Sequence, residues 1–239
     1  MKQFKFLSVI TLVACSVFFS SCNDDEKKAD DVTVSTDTTA VNKTEPPAKP
    51  GNILIIKQKV ANFAKWKPVY ESHDSTRLAY GLHNYIVSRG IKDSNMVMVV
   101  LKMDDSTKAK QFTALPDLKA AMQRGGVIGA PSFLYIDMQV LDTSSALPTR
   151  VIVTHKVKDW DAWKKSFDSH KQTRMDAGIT DRAIGYSVGD THTVTVAFVI
   201  NDMKKAEAFM ASKDLKDKMA EAGVVGPPDI FFYKVVQKY

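Results

Sequence analysis

The chain repeats itself. Displacing the sequence by 97 residues aligns 55–138 with 152–235 without an insertion, and 26 of the 84 aligned positions are identical. A gap-free register of that length means that both copies solve the same packing problem, so whatever fold one half adopts, the other is expected to adopt. Landmarks recur in order: Trp66 with Trp163, His73 and Arg77 with His170 and Arg174, Gly81 with Gly178, Phe112 with Phe209, and "GVIGAP" with "GVVGPP".

Within each copy the pattern predicts a fixed order of elements. A strand (53–60; 151–157) leads to Asn62 or Asp159, residues that hold the free N–H groups of a helix start, and the following helix is predicted to run to Gly81 or Gly178. Two strands follow, the second clearest in "TVTVAFVI", whose later residues are apolar on both faces, as in a strand covered on both sides. Asp105 and Asp202 then open a second helix, a short third one stops at Gly126 or Gly223, and "PSFLYIDM" or "PDIFFYKV" supplies the last strand. The order β-α-β-β-α-β is that of a ferredoxin-like unit, a four-stranded sheet with helices on one side. The predicted fold is therefore α+β, with one unit over 52–139, a crossover over 140–150 and a second unit over 151–239. Each unit leaves one apolar sheet face bare, so the two are expected to pack sheet to sheet and make the chain its own pseudo-dimer, monomeric in solution.

Residues 1–22 read as an export signal rather than as part of the fold. Lys2 and Lys5 precede an apolar run from Phe6 to Phe19, which is shorter than the ~20 residues of a spanning helix. The run closes on "SSC", which resembles the lipobox of bacterial lipoproteins, where a cysteine becomes the acylated mature N-terminus. Cys22 is the preferred site; the alternative, Cys15 in "LVAC", would leave "SVFF" at the head of the mature chain. The expected location is the bacterial cell envelope, with a lipid anchor to the outer membrane, and "NDDE" resembles the acidic tag of surface-exposed lipoproteins. Residues 23–51, rich in Asp, Lys, Thr and Pro, read as a tether spanning on the order of 30 Å. No cysteine follows Cys22, which excludes a disulfide framework. The formal charge of +6 is spread among acidic residues, with no basic stripe for nucleic acid.

Two sequence stretches carry a more specific resemblance. "VANFAKWKPVYESHDSTRLAYG" with "DLKAAMQRGGVIGAP", and "VKDWDAWKKSFDSHKQTRMDAG" with "DLKDKMAEAGVVGPP", resemble a branch of the dimeric α/β barrel superfamily. That superfamily includes antibiotic-biosynthesis monooxygenases, stress-responsive barrel proteins and muconolactone isomerases. The first copy departs only in having Asn62 where Asp is usual. The resemblance implies an intramolecular dimeric α/β barrel with a pocket between sheet and helices in each unit. It does not imply one reaction, since the fold hosts oxygenation, isomerisation, haem breakdown and plain binding.

Candidate site residues lie on one stripe of the first helix of each copy: Trp66, Tyr70, His73 and Arg77, and Trp163, Phe167, His170 and Arg174. In one reading the aromatic rings wall a cavity, the arginines meet a ligand, and His73 or His170 serves as a base. In the other, His and Arg bond strand carbonyls or the preceding Glu71 and Asp168, and only set the helix against the sheet. His155 aligns with Gln58, and His83 and His192 have no histidine counterpart, so no repeated metal site is expected; no cofactor is expected either. The glycine-rich runs lack the Lys-Ser/Thr of a phosphate loop and read as helix caps. Three functions fit these residues: a membrane-tethered binder of a small, partly apolar ligand, a cofactor-independent monooxygenase or isomerase acting on an aromatic or polyketide-like substrate, and an interaction module without a pocket.

Overall fold

The computed structural model describes residues 50–239. The expected signal, the acylation of Cys22 and the tether up to residue 49 lie outside the described residues. Among the described residues no helix is long and apolar enough to cross a membrane.

The first half runs β1 (Ile53–Val60), α1 (Phe63–Ser72), α2 (Asp74–Ala79), β2 (Leu82–Gly90), β3 (Met96–Met103), α3 (Ser106–Thr113), α4 (Pro116–Arg124) and β4 (Val127–Leu141). The second runs β5 (Thr149–Val157), α5 (Trp160–Ser169), α6 (Lys171–Asp176), β6 (Ile179–Ser187), β7 (Asp190–Ile200), α7 (Met203–Ala211), α8 (Lys213–Glu221) and β8 (Val224–Lys238). Asn62, Asp105, Asp159 and Asp202 each accept a hydrogen bond from the backbone N–H three residues on, which starts α1, α3, α5 and α7.

The first helix of each half differs from expectation. Instead of one helix reaching Gly81 or Gly178, the chain breaks at His73 and His170, each of which ends one short helix and begins the next. At the break Tyr70 O and Phe167 O keep only a tight-turn bond, from His73 N at 3.3 Å and His170 N at 3.2 Å. Arg77 and Arg174 fold back to add a second donor to each: Nη1 of Arg77 donates to Tyr70 O at 2.7 Å, and Nη1 of Arg174 donates to Phe167 O at 2.6 Å. A cation at a helix C-terminus is also favoured by the helix dipole.

The eight strands form one closed antiparallel barrel in the order β1-β3-β2-β8-β5-β7-β6-β4. Closure depends on two strands of 15 residues. β4 pairs with β1 and, from Ile136 onward, with β6; β8 pairs with β5 and, from Tyr233 onward, with β2. The sequence argues for stacked sheets, and the structure adds two hydrogen-bonded seams that leave no sheet edge open. At one seam a Cβ on Gly185 would lie 2.6 Å from Asp137 O, so the strands approach too closely for a larger residue.

Alternation along the strands sorts residues into three cores. Leu54, Ile56 and Val60 pack under α1 to α4 with Trp66 and Phe112, and Val151, Val153 and Val157 pack under α5 to α8 with Trp163. Ile55, Met98, Val100, Ile136, Ile152 and Tyr233 line the barrel interior.

Candidate functional site

Both arginines bond to protein groups and line a cavity, and Nε of Arg77 is buried without a partner. In the second half, Nε and Nη2 of Arg174 donate to the two oxygens of Asp181 at 2.8 and 2.7 Å, while the guanidinium lies 3.6 Å from the centre of the Phe167 ring. This two-pronged pairing fixes the plane of the guanidinium. In the first half Asn84 stands where Asp181 stands, and the carboxylate comes instead from Asp74, which accepts from Arg77 Nη2 at 3.2 Å and from Asn84 Nδ2 at 2.5 Å. The expected acidic partners Glu71 and Asp168 bond Lys67 and Lys164 instead. Neither arginine reaches a strand carbonyl.

The rings and histidines do meet at cavities. Between the β5–β7 face and the second set of helices lies a cavity of about 90 Å³, lined among others by His155, Trp163, Phe167, His170, Met210 and Met219. Trp163 stacks on Phe167 with centroids 5.0 Å apart, and His155 stands 5.5 Å from Trp163. The cavity is smaller than the ~150 Å³ hole that accepts benzene in another protein. The two methionines on its wall are flexible enough to give way to a single ring. A porphyrin exceeds it by far.

The matching cavity of the first half, lined by Gln58, Trp66, Tyr70, His73, Arg77 and Met122 among others, holds about 40 Å³. Two local differences account for this. His73 Nε2 lies 3.0 Å from Asp117 Oδ2, which ties α4 to the α1–α2 break, and α4 buries Leu118 and Ala121. In the second half His170 turns Nδ1 to Ser166 O at 2.8 Å, and α8 has no buried residue. The second cavity is therefore less tightly covered.

The polar group at the bottom of the larger cavity is one that sequence reasoning passed over. His155 is 7 % exposed, and neither ring nitrogen has a hydrogen-bond partner. Burial pushes its pKa down from 6.5 to about 4, so the ring is neutral near pH 7. The signal was available: His155 shares strand parity with Val151, Val153 and Val157, which face the helices. Its counterpart in the first half is Gln58, so the repeat does not single it out. Among the described residues no group of three or more His, Cys, Asp or Glu is placed to hold a metal ion.

Neither family models nor curated proteins match this chain in sequence. Solved structures do match in fold. A proposed monooxygenase from Fusobacterium nucleatum aligns with a TM-score of 0.51 at 15% identity, covering 78% of this chain and 92% of its own. An anthrone oxidase-like protein aligns with 0.53 at 13%, covering 79% and 92%, and a proposed chlorite dismutase with 0.52 at 15%, covering 79% and 96%. The fold is thus similar to dimeric α/β barrels. At these identities the likeness extends to the fold alone.

Proposed function

We propose that the chain is a lipid-anchored protein of the bacterial cell envelope, built from two tandem ferredoxin-like units, that binds a small ring-containing ligand carrying a hydroxyl in the cavity of its second half. The observation that carries this is His155: a neutral, buried imidazole with two free nitrogens on the wall of an aromatic cavity. Leaving such a group without a partner is unfavourable by about 1–3 kcal/mol, which a ligand hydroxyl would relieve. His155 also favours binding over proton abstraction. A general base works best with a pKa near the operating pH, and at about 4 this ring accepts a hydrogen bond without capturing the proton. Trp163 and Phe167 supply the apolar walls, and Arg174 holds Phe167 in place. The anchor rests on the sequence around Cys22.

A second reading, a cofactor-independent oxygenase or isomerase, is favoured by His170. Its Nδ1–H donates to Ser166 O, which leaves Nε2 as the acceptor on a residue of the cavity wall. The names of the monooxygenase and anthrone oxidase-like neighbours point the same way.

Titration with 4-bromophenol, read by tryptophan quenching, tests the first reading. Saturable binding is expected, weakened about fivefold to tenfold in His155→Leu, which can neither donate nor accept a hydrogen bond; no saturation, or equal affinity in the variant, overturns it. Oxygen uptake with a single-ring phenol that is lost in His170→Ala would establish the second reading. Lipid labelling lost in Cys22→Ser supports the anchor, whereas labelling that persists moves it to Cys15.

A further inference from the structure

Inside the barrel, on the strand faces turned away from the helices, lies a cavity of about 370 Å³. That is within the range of roughly 300–1,000 Å³ usual for small-molecule sites. Its walls are largely aliphatic, with Ile55, Met98, Val100 and Ile152 among them. Two buried guanidiniums stand against them. Arg150 is 3 % exposed; its Nε donates to Leu147 O at 3.4 Å, and its Nη2 has no partner. Arg182, also buried, donates from Nη1 to Asp142 O and from Nη2 to the Tyr85 hydroxyl at 3.5 Å. Tyr233 is buried within hydrogen-bonding reach of Arg150.

No buried carboxylate balances these charges within the cavity. Of the residues lining it only Asp104 is acidic, and that side chain is exposed and bonded to His83 Nε2 at 2.8 Å. The exposed Asp142 carboxylate, near enough to feel Arg182, accepts from Ser144 N at 2.8 Å. Lys102 adds a further cation, 5.3 Å from the Tyr85 ring. Burying positive charge without a counterion is unfavourable. Closing the barrel does not require it either: the positions 97 residues earlier than Arg150, Arg182 and Tyr233 are Ile53, Tyr85 and Ile136. The polar set belongs to one half only.

We propose that the barrel interior is a separate binding site for a small organic carboxylate, held by Arg150 Nη2 and the Tyr233 hydroxyl with Arg182 behind them, its apolar body lying along Ile55, Met98, Val100 and Ile152. A carboxylate fits better than a phosphate dianion, because so few donors are free that a dianion would leave oxygens unsatisfied in an apolar chamber.

Calorimetric titration of the full chain with octanoate and with phenylacetate tests this. At least one acid binds saturably, and Arg150→Met weakens it about tenfold or more, as does Tyr233→Phe to a smaller degree. His155→Gln leaves the affinity unchanged, which separates this site from the cavity beneath the helices. Octanol does not compete. The proposal is overturned if neither acid saturates, if affinity is the same in Arg150→Met and Tyr233→Phe, or if octanol binds as well as octanoate.

Discussion

Lowering the pH is a perturbation that acts on His155 through the energetics of folding. In the unfolded chain the imidazole titrates near 6.5, and in the folded chain burial holds it at about 4. Between those values the unfolded state binds a proton that the native state refuses, so stability rises with pH there. The contribution is fully present above pH 6.5 and is lost as pH falls toward the folded value of about 4. At about pH 5 the loss amounts to about 2 kcal/mol relative to neutral pH, and near pH 4 it approaches about 3 kcal/mol. Urea unfolding at about pH 7.5 and about pH 5 measures it, with His155→Gln as the reference because Gln58 already occupies that position in the first half. Subtracting the variant's change removes the other titrating groups, including Asp93 and Asp190, held low by bonds from Asn95 N and the Thr193 hydroxyl respectively. Wild type should lose about 2 kcal/mol more than the variant. Equal losses would show that the ring is solvated or already partnered, and the reasoning about the cavity would fail with it.

Arg174→Leu uncaps α5 and leaves Asp181 unpaired; a loss of about 3 kcal/mol in urea unfolding is expected, with only partial recovery in Arg174→Lys, which lacks the planar fork. Gly185→Ala forces a Cβ against Asp137 O at 2.6 Å, and should destabilise the chain by about 1–3 kcal/mol while speeding amide exchange along the β4–β6 seam. His73→Ala removes the tie to Asp117, at a loss of about 1 kcal/mol, and should enlarge the first cavity enough for it to take the same ligands as the second.

Most of the fold is legible because its signals are local. The Asx residues at 62, 105, 159 and 202 announce helix starts, and the repeat carries each assignment from one half to the other. The helix breaks are not legible: His73 and His170 are neither Pro nor Gly, and the group that satisfies the broken end arrives four residues later on an arginine. The same bond gives the spacing of His and Arg a structural reason, since each arginine reaches back to the helix end that the histidine closes. The interior cavity was hidden for another reason. Arg150 sits where the sequence suggests the crossover, whereas β5 begins at Thr149 and turns Arg150 inward. Its neighbours there, Arg182 and Tyr233, come from β6 and β8, a juxtaposition that only barrel closure creates.

Crystals soaked in 4-bromophenol and measured at the bromine edge test the central claim most directly. The account predicts an anomalous peak between Trp163, Phe167 and Met219, with the phenol oxygen at hydrogen-bonding distance from His155, and a weaker peak or none beneath α4. A cavity that stays empty at saturating ligand, or a ring bound only on the outer surface, would contradict it.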